Sequence, residues 1–247
     1  MMSRYKVTTY LAVVLFGVWV IPAGASEARI EIAIPDMYVA ADAVTPGAGW
    51  WGIYREKEGF TLRPTSVGVS TFPLDEGDSG VGIRAAGDDV PLVVLRGGLA
   101  FKAGPLDTPK RSDSTWKFLF PGEMRDVTVG QWRLRRQTIL TATGGLIWPV
   151  GSHHSIFRNY ELHLSREKGP NETRQTLLSV QEFEFFQDDP GPTVVWAGDL
   201  DGDGETDVVL DKSTFYTGRE IELYLSSAAE DGKLVGKVAS WTGTKGC

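Results

Sequence analysis

Four aspartates fall within one run of nine residues, Asp199-Leu-Asp-Gly-Asp-Gly-Glu-Thr-Asp207. They occupy positions 1, 3, 5 and 9, and Gly204 stands at position 6. On a tightly curved backbone, alternate side chains point to the inside of the bend. Short carboxylates at those positions therefore converge on one small volume, where like charges repel strongly unless a cation lies among them. Gly204 lets the chain reverse without a Cβ clash. Glu205, at position 7, is expected to offer its backbone carbonyl and keep its side chain outside. The ligand set is all oxygen, which suits calcium rather than zinc or copper. An EF-hand would need a bidentate acid at position 12, where this chain has Leu210, and helices on both flanks. The competing reading is a solvated acidic turn, because Asp and Gly are common in turns.

The flanking residues read as strands: Thr193 to Ala197 (TVVWA) before the loop and Asp207 to Asp211 (DVVLD) after it. Glu220 to Ser226 gives a third strand and Leu234 to Trp241 a fourth, with Asp231-Gly232 turning the chain between them. This is the pattern of an antiparallel meander. The run AGDLDGDGETDVVL resembles the strand–calcium loop–strand core of FG-GAP and VCBS repeats, also seen in integrin α-chain propellers. The resemblance covers about one repeat, residues 193 to roughly 241. It implies calcium as the ion, with Asp199, Asp201, Asp203 and Asp207 as side-chain ligands and Glu205 as the backbone ligand. The closing stretch SSAAEDGKLVGKVASWTGTKGC is similar to the tail of uncharacterised exported bacterial proteins, and that likeness supplies no activity.

The elements that must position this loop also read as β. Trp is high at 8 and Gly at 29 in 247 residues, and no apolar helical period persists for more than about three turns. Ala28 to Ile34 alternates as a first strand. Gly49 to Arg55 and Phe60 to Phe72 form a hairpin around Glu56-Lys57-Glu58-Gly59. Residues 73–90 and 102–115 read as loops, and Pro91 to Arg96 as a short buried strand. Trp116 to Phe120, Val127 to Leu134, Thr138 to Thr143 and Tyr160 to Ser165 are further strands, and Gln175 to Phe186 reads as one long strand or two. The expected fold is mainly β, an antiparallel sandwich or meander ending in the calcium-loop hairpin. Residues 26–190 form the β-rich part, and 191–247 form the meander packed on it.

Residues 1–25 read as a secretory signal: Arg4 and Lys6, an apolar run from Tyr10 to Ile21, then Pro22 and Ala23-Gly24-Ala25. The run is short for a bilayer span of about 20 residues. Periplasmic or secreted localisation follows as an expectation, with no membrane span in the mature chain. Cleavage after Ala25 moves the net charge from −7 to −9. That balance disfavours nucleic acid and leaves no polybasic patch for anionic lipid. The single cysteine, Cys247, cannot form an internal disulfide.

No catalytic set stands out. There is no G-x-S-x-G elbow. His153, His154 and His163 match no short zinc signature, and His163 reads as projecting from a strand face. Arg133, Arg135 and Arg136 read as a solvated strand face. Trp50, Trp51, Tyr54 and Phe60 read as core before they read as sugar-stacking aromatics. Two functions stay open. One is a non-enzymatic exported protein in which structural calcium braces a surface for a protein or glycan partner. The other is a hydrolase of envelope or extracellular polymers with calcium as scaffold, marked by a cleft holding two carboxylates about 5–9.5 Å apart.

Overall fold

The computed structural model describes residues 30–35, 37–39, 44–73, 79–109, 118–129, 137–149, 154–168, 171–186, 191–214 and 218–244. The signal-like segment, His153, the Arg133–Arg136 cluster and Cys247 lie outside them. Among the described residues there is no helix, and two antiparallel sheets carry the chain.

The larger sheet has 11 strands. Its first part is β1 (Glu31–Ala33), β2 (Tyr38–Val39), β3 (Gly47–Glu56), β4 (Gly59–Pro73), β5 (Ser79–Ala85), β6 (Val93–Arg96) and β7 (Gly104–Leu106). The expected hairpin of β3 and β4 is present, paired from Gly47↔Val67 to Glu56↔Gly59 across a two-residue turn at Lys57 and Glu58. Residues 79–85 correct the expected loop: they form β5, paired with β4 through Val69↔Ile83 and Thr71↔Val81. Only Val81 and Ile83 carry apolar alternation there, and their neighbours Gly80, Gly82 and Arg84 hide it. The same sheet continues through β12 (Thr193–Gly198), β13 (Asp207–Asp211), β14 (Gly218–Leu225) and β15 (Gly236–Thr244), joined by the pairing of Thr244 with Tyr38. Strand β1 lies against β14 and β15, so the sheet curls back on itself.

The smaller sheet has the order β11 (Asn171–Phe186), β10 (His154–Lys168), β9 (Thr138–Ile147), β8 (Met124–Asp126). The tract from Gln175 to Phe186 is one strand rather than two. Phe118 to Phe120 is not a strand, residues 127–129 carry none either, and the rest of both expected strands, 116–117 and 130–134, lies outside the described residues; β8 comes just before Val127. The reason is packing: Phe118 stacks on Tyr160 and Phe185 instead of extending along a neighbour.

Two apolar cores result. One fills the curl with Trp50, Ile53, Leu62, Ile83, Leu95 and Trp196. The other lies between the smaller sheet and the outer face of the meander, with Leu140, Phe157, Tyr160 and Leu162 against Val208 and Leu210. Strands β12 and β13 wall both. Trp196 and its partner Val209 face the curl, while Val194 and its partner Leu210 face the second core. An extended strand would place Val194 and Trp196 on one face. The register shift between them reverses that, as a β-bulge does.

Strand β14 carries Glu222 into this layer at 3% exposure. Burial alone would raise its carboxyl. The Tyr224 hydroxyl donates to it, and Lys237 at 3.0 Å and Lys212 at 3.3 Å face it, which holds it below the usual carboxylate range. A carboxyl with a lowered folded value adds stability above its unfolded value and loses it as pH falls through the folded one. Glu222→Gln is expected to lower stability by about 1–3 kcal/mol at neutral pH. The deficit should shrink on acidification below pH ~4, checked by urea unfolding across pH.

Candidate metal centre

The acidic loop sits at the top of the β12–β13 hairpin. Its entrance is fixed by Asp199, whose N–H donates to the carbonyl of Asp107 at 2.8 Å. Its exit is fixed by Thr206, 1% exposed, whose hydroxyl donates to the carbonyl of Val127 at 2.9 Å. Between them the backbone turns at Gly202 and Gly204, with φ of +83° and +82°. No neighbour crowds either position, so it is the left-handed backbone and not lack of space that calls for glycine.

Each carboxylate is oriented by the loop's own N–H groups. Asp199 accepts from Gly202 at 2.7 Å and Gly204 at 2.9 Å. Asp201 accepts from Asp203 at 3.3 Å, and Asp203 accepts from Glu205 at 2.8 Å. These are the side-chain-to-backbone turns that aspartate favours. Asp207, fully buried, accepts from the N–H of Leu200 at 2.7 Å and from the N–H of Ser226 at 2.8 Å.

One carboxylate oxygen from each of Asp199, Asp201 and Asp207 lies within 4.8 Å of the others. This triad could hold a metal ion. Asp203 stands outside it, its second oxygen accepting from the Ser226 hydroxyl at 2.7 Å. The Glu205 side chain turns away and lies 2.8 Å from the Arg166 guanidinium on β10. Ser226 and Ser227, which follow β14, were not legible as part of the site. Ser226 bridges Asp203 and Asp207 through its hydroxyl, and Ser227 donates to Asp201. The signal that could find them is topological: in a meander the end of β14 adjoins the start of β13, and a hydroxyl pair stands there.

The electrostatics match a crowded acidic site. Burial pushes Asp199 up, with the charges of Asp203 and Asp201 adding to it against the glycine N–H groups. Burial pushes Asp207 up to about 7, with Asp201 adding to it against the Ser226 and Leu200 donors. A cation among these groups would relieve both effects.

The other expected residues are placed elsewhere. Trp50, Tyr54 and Phe60 are buried, as core residues. His163 is buried between Thr143 and Thr176, with Glu161 at 3.2 Å, and burial lowers its pKa with help from Arg174. His154 begins β10, nine residues earlier on the same strand. Comparison with protein-family models, with curated proteins and with solved structures finds no match. What the fold and site define is therefore a class: an all-β protein of two antiparallel sheets with an acidic triad suited to a metal ion.

Thr206→Val keeps shape and removes one buried hydrogen bond, leaving the Val127 carbonyl without its donor. A loss of about 1–3 kcal/mol is expected, read as a lower urea midpoint at unchanged slope.

Proposed function

We propose that this chain is an exported calcium-binding β protein, non-enzymatic, in which the ion is structural and the braced scaffold presents a surface to a protein or glycan. The observation that carries the reading is the convergence of Asp199, Asp201 and Asp207 within 4.8 Å around one buried carboxylate. Bond lengths of about 2.3–2.6 Å let the oxygens around one calcium ion stand up to roughly 5.2 Å apart, so a triad within 4.8 Å fits a single calcium site. Hard, all-oxygen donors fit the same choice. The likeness of the run 197–210 to the core of FG-GAP and VCBS repeats supports it, and so does the loop's place between the two sheets.

In this reading Asp199, Asp201 and Asp207 hold the ion, Asp203 completes the acidic wall through Ser226, and Glu205 contributes its backbone carbonyl. Bound calcium supplies two positive charges to a site that otherwise confines several carboxylates. The chain's own residues do the rest. Gly202 and Gly204 shape the bend, Ser226 and Ser227 orient the acids, and Thr206 locks the loop to the segment after β8. Export rests on the N-terminal basic and apolar run with Ala23-Gly24-Ala25, and periplasmic or secreted localisation follows from it.

Calcium is expected to raise the melting temperature of chelator-treated protein, by an amount corresponding to about 2.7 kcal/mol when the ion is a hundredfold above its dissociation constant. Asp201→Ala is expected to abolish that shift while the variant stays folded. Unchanged melting on adding calcium to the wild type would overturn the assignment, and a larger shift with magnesium would overturn the choice of ion.

A further inference from the structure

We infer that the groove between β4 and the loop Ala86–Asp89 binds a saccharide. The inference rests on the reading that this scaffold presents a binding surface, and it places that surface and names its ligand. The groove has a volume of about 530 Å³, within the size range of small-ligand clefts, roughly 300–1,000 Å³. Its wall is built in steps that begin at Gly52. A Cβ there would stand 2.5 Å from the Tyr54 ring, so glycine is what allows that ring to lie across the strand. Arg63, paired with Gly52 in register, then lays its guanidinium over the ring at 3.8 Å from the centroid. Asp89 at 3.2 Å and Glu56 at 3.9 Å hold the edges of the guanidinium. The opposite wall is held as well: the N–H of Ala86 donates to the carbonyl of Ser66 at 2.9 Å.

The chemistry of the lining selects the ligand. Arg63 can only donate hydrogen bonds, and the carboxylates of Asp88 and Asp89 can only accept them. A ligand spanning both needs neighbouring atoms that each donate and accept. Vicinal hydroxyls do this, and they bring no net charge. An anion would meet Asp88 and Asp89, which also repel nucleic acid, and a cation would meet Arg63. An apolar molecule would cover all three charged groups and offer none of them a hydrogen bond. The buried face of Tyr54 is already covered by Arg63, so recognition runs through the polar fork rather than through ring stacking. A guanidinium fixed on an aromatic face loses little freedom on binding, which favours a weak ligand such as a sugar.

The test uses the full chain, isotopically labelled, titrated with glucose, galactose, mannose, N-acetylglucosamine and cellobiose while the backbone amides of residues 63–66 and 86–89 are followed by NMR. At least one sugar is expected to shift those amides saturably. Arg63→Met and Asp88→Asn are each expected to weaken that sugar about tenfold, the loss for one hydrogen bond to a charged group. Both variants should keep the wild-type amide pattern elsewhere. Two results overturn the inference: no panel sugar shifts the groove amides, or both variants bind as the wild type does. Calcium-dependent melting of the same samples separates the two readings. A retained calcium shift without sugar binding removes the groove alone, and sugar binding without a calcium shift removes the calcium reading alone.

Discussion

A carboxylate fully buried at the mouth of a hairpin is the constraint around which the rest is arranged. Asp207 takes two backbone N–H groups, from Leu200 within its own loop and from Ser226 beyond the next strand. Water is excluded, so each bond counts for more than it would at the surface, and an unmet lone pair would be costly. The position also couples parts of the chain that are far apart in sequence. Strand β13 starts at this residue, β14 ends against it, and Thr206 beside it reaches Val127 across the boundary between the sheets. The two cores meet where these bonds meet.

Seen from the loop outward, burial and charge act in opposite directions. The β12–β13 hairpin is apolar on both faces, which drives it into the interior. Its tip carries four aspartates, which resist that burial. The fold reconciles them through donors: glycine and acidic-residue N–H groups inside the loop, serine hydroxyls outside it, and Arg166 beside Glu205. Asp199 and Asp207 stay raised because burial, with the neighbouring acids, outweighs these donors. Away from the loop, Glu222 shows the opposite outcome, since Tyr224 and two lysines overcome its burial.

How far the sequence reveals this depends on distance along the chain. The loop was legible because its acids and its turning glycine lie within nine residues, so spacing alone constrains their geometry. Strand β14 was legible because Ile221, Leu223 and Leu225 alternate with Glu220 and Glu222, and the β3–β4 hairpin because two aromatic-bearing runs flank the turn Glu56-Lys57-Glu58-Gly59. Strand β5 was hidden by Gly80 and Gly82, which have no side chain to report a face. Ser226 was hidden because it reaches Asp207 from 19 residues away, and Arg166 because only the docking of the smaller sheet brings it to Glu205. The same applies to Arg63, whose place over Tyr54 depends on the absence of a Cβ at Gly52.

The bulge between Val194 and Trp196 has a consequence for how the molecule assembles. By sending adjacent alternate residues to opposite sides, it makes one hairpin the shared wall of two interiors. Neither interior can close before residues 193–211 arrive, and those residues come late in the chain. Until then Trp50, Ile53, Phe157 and Leu162 lack the wall that completes their burial in the finished molecule. Folding dominated by such distant pairings is slow, and the open intermediate is prone to association. The acidic bend puts four carboxylates at the tip of this late, apolar hairpin, a charged end that favours hydration before the two sheets close around it.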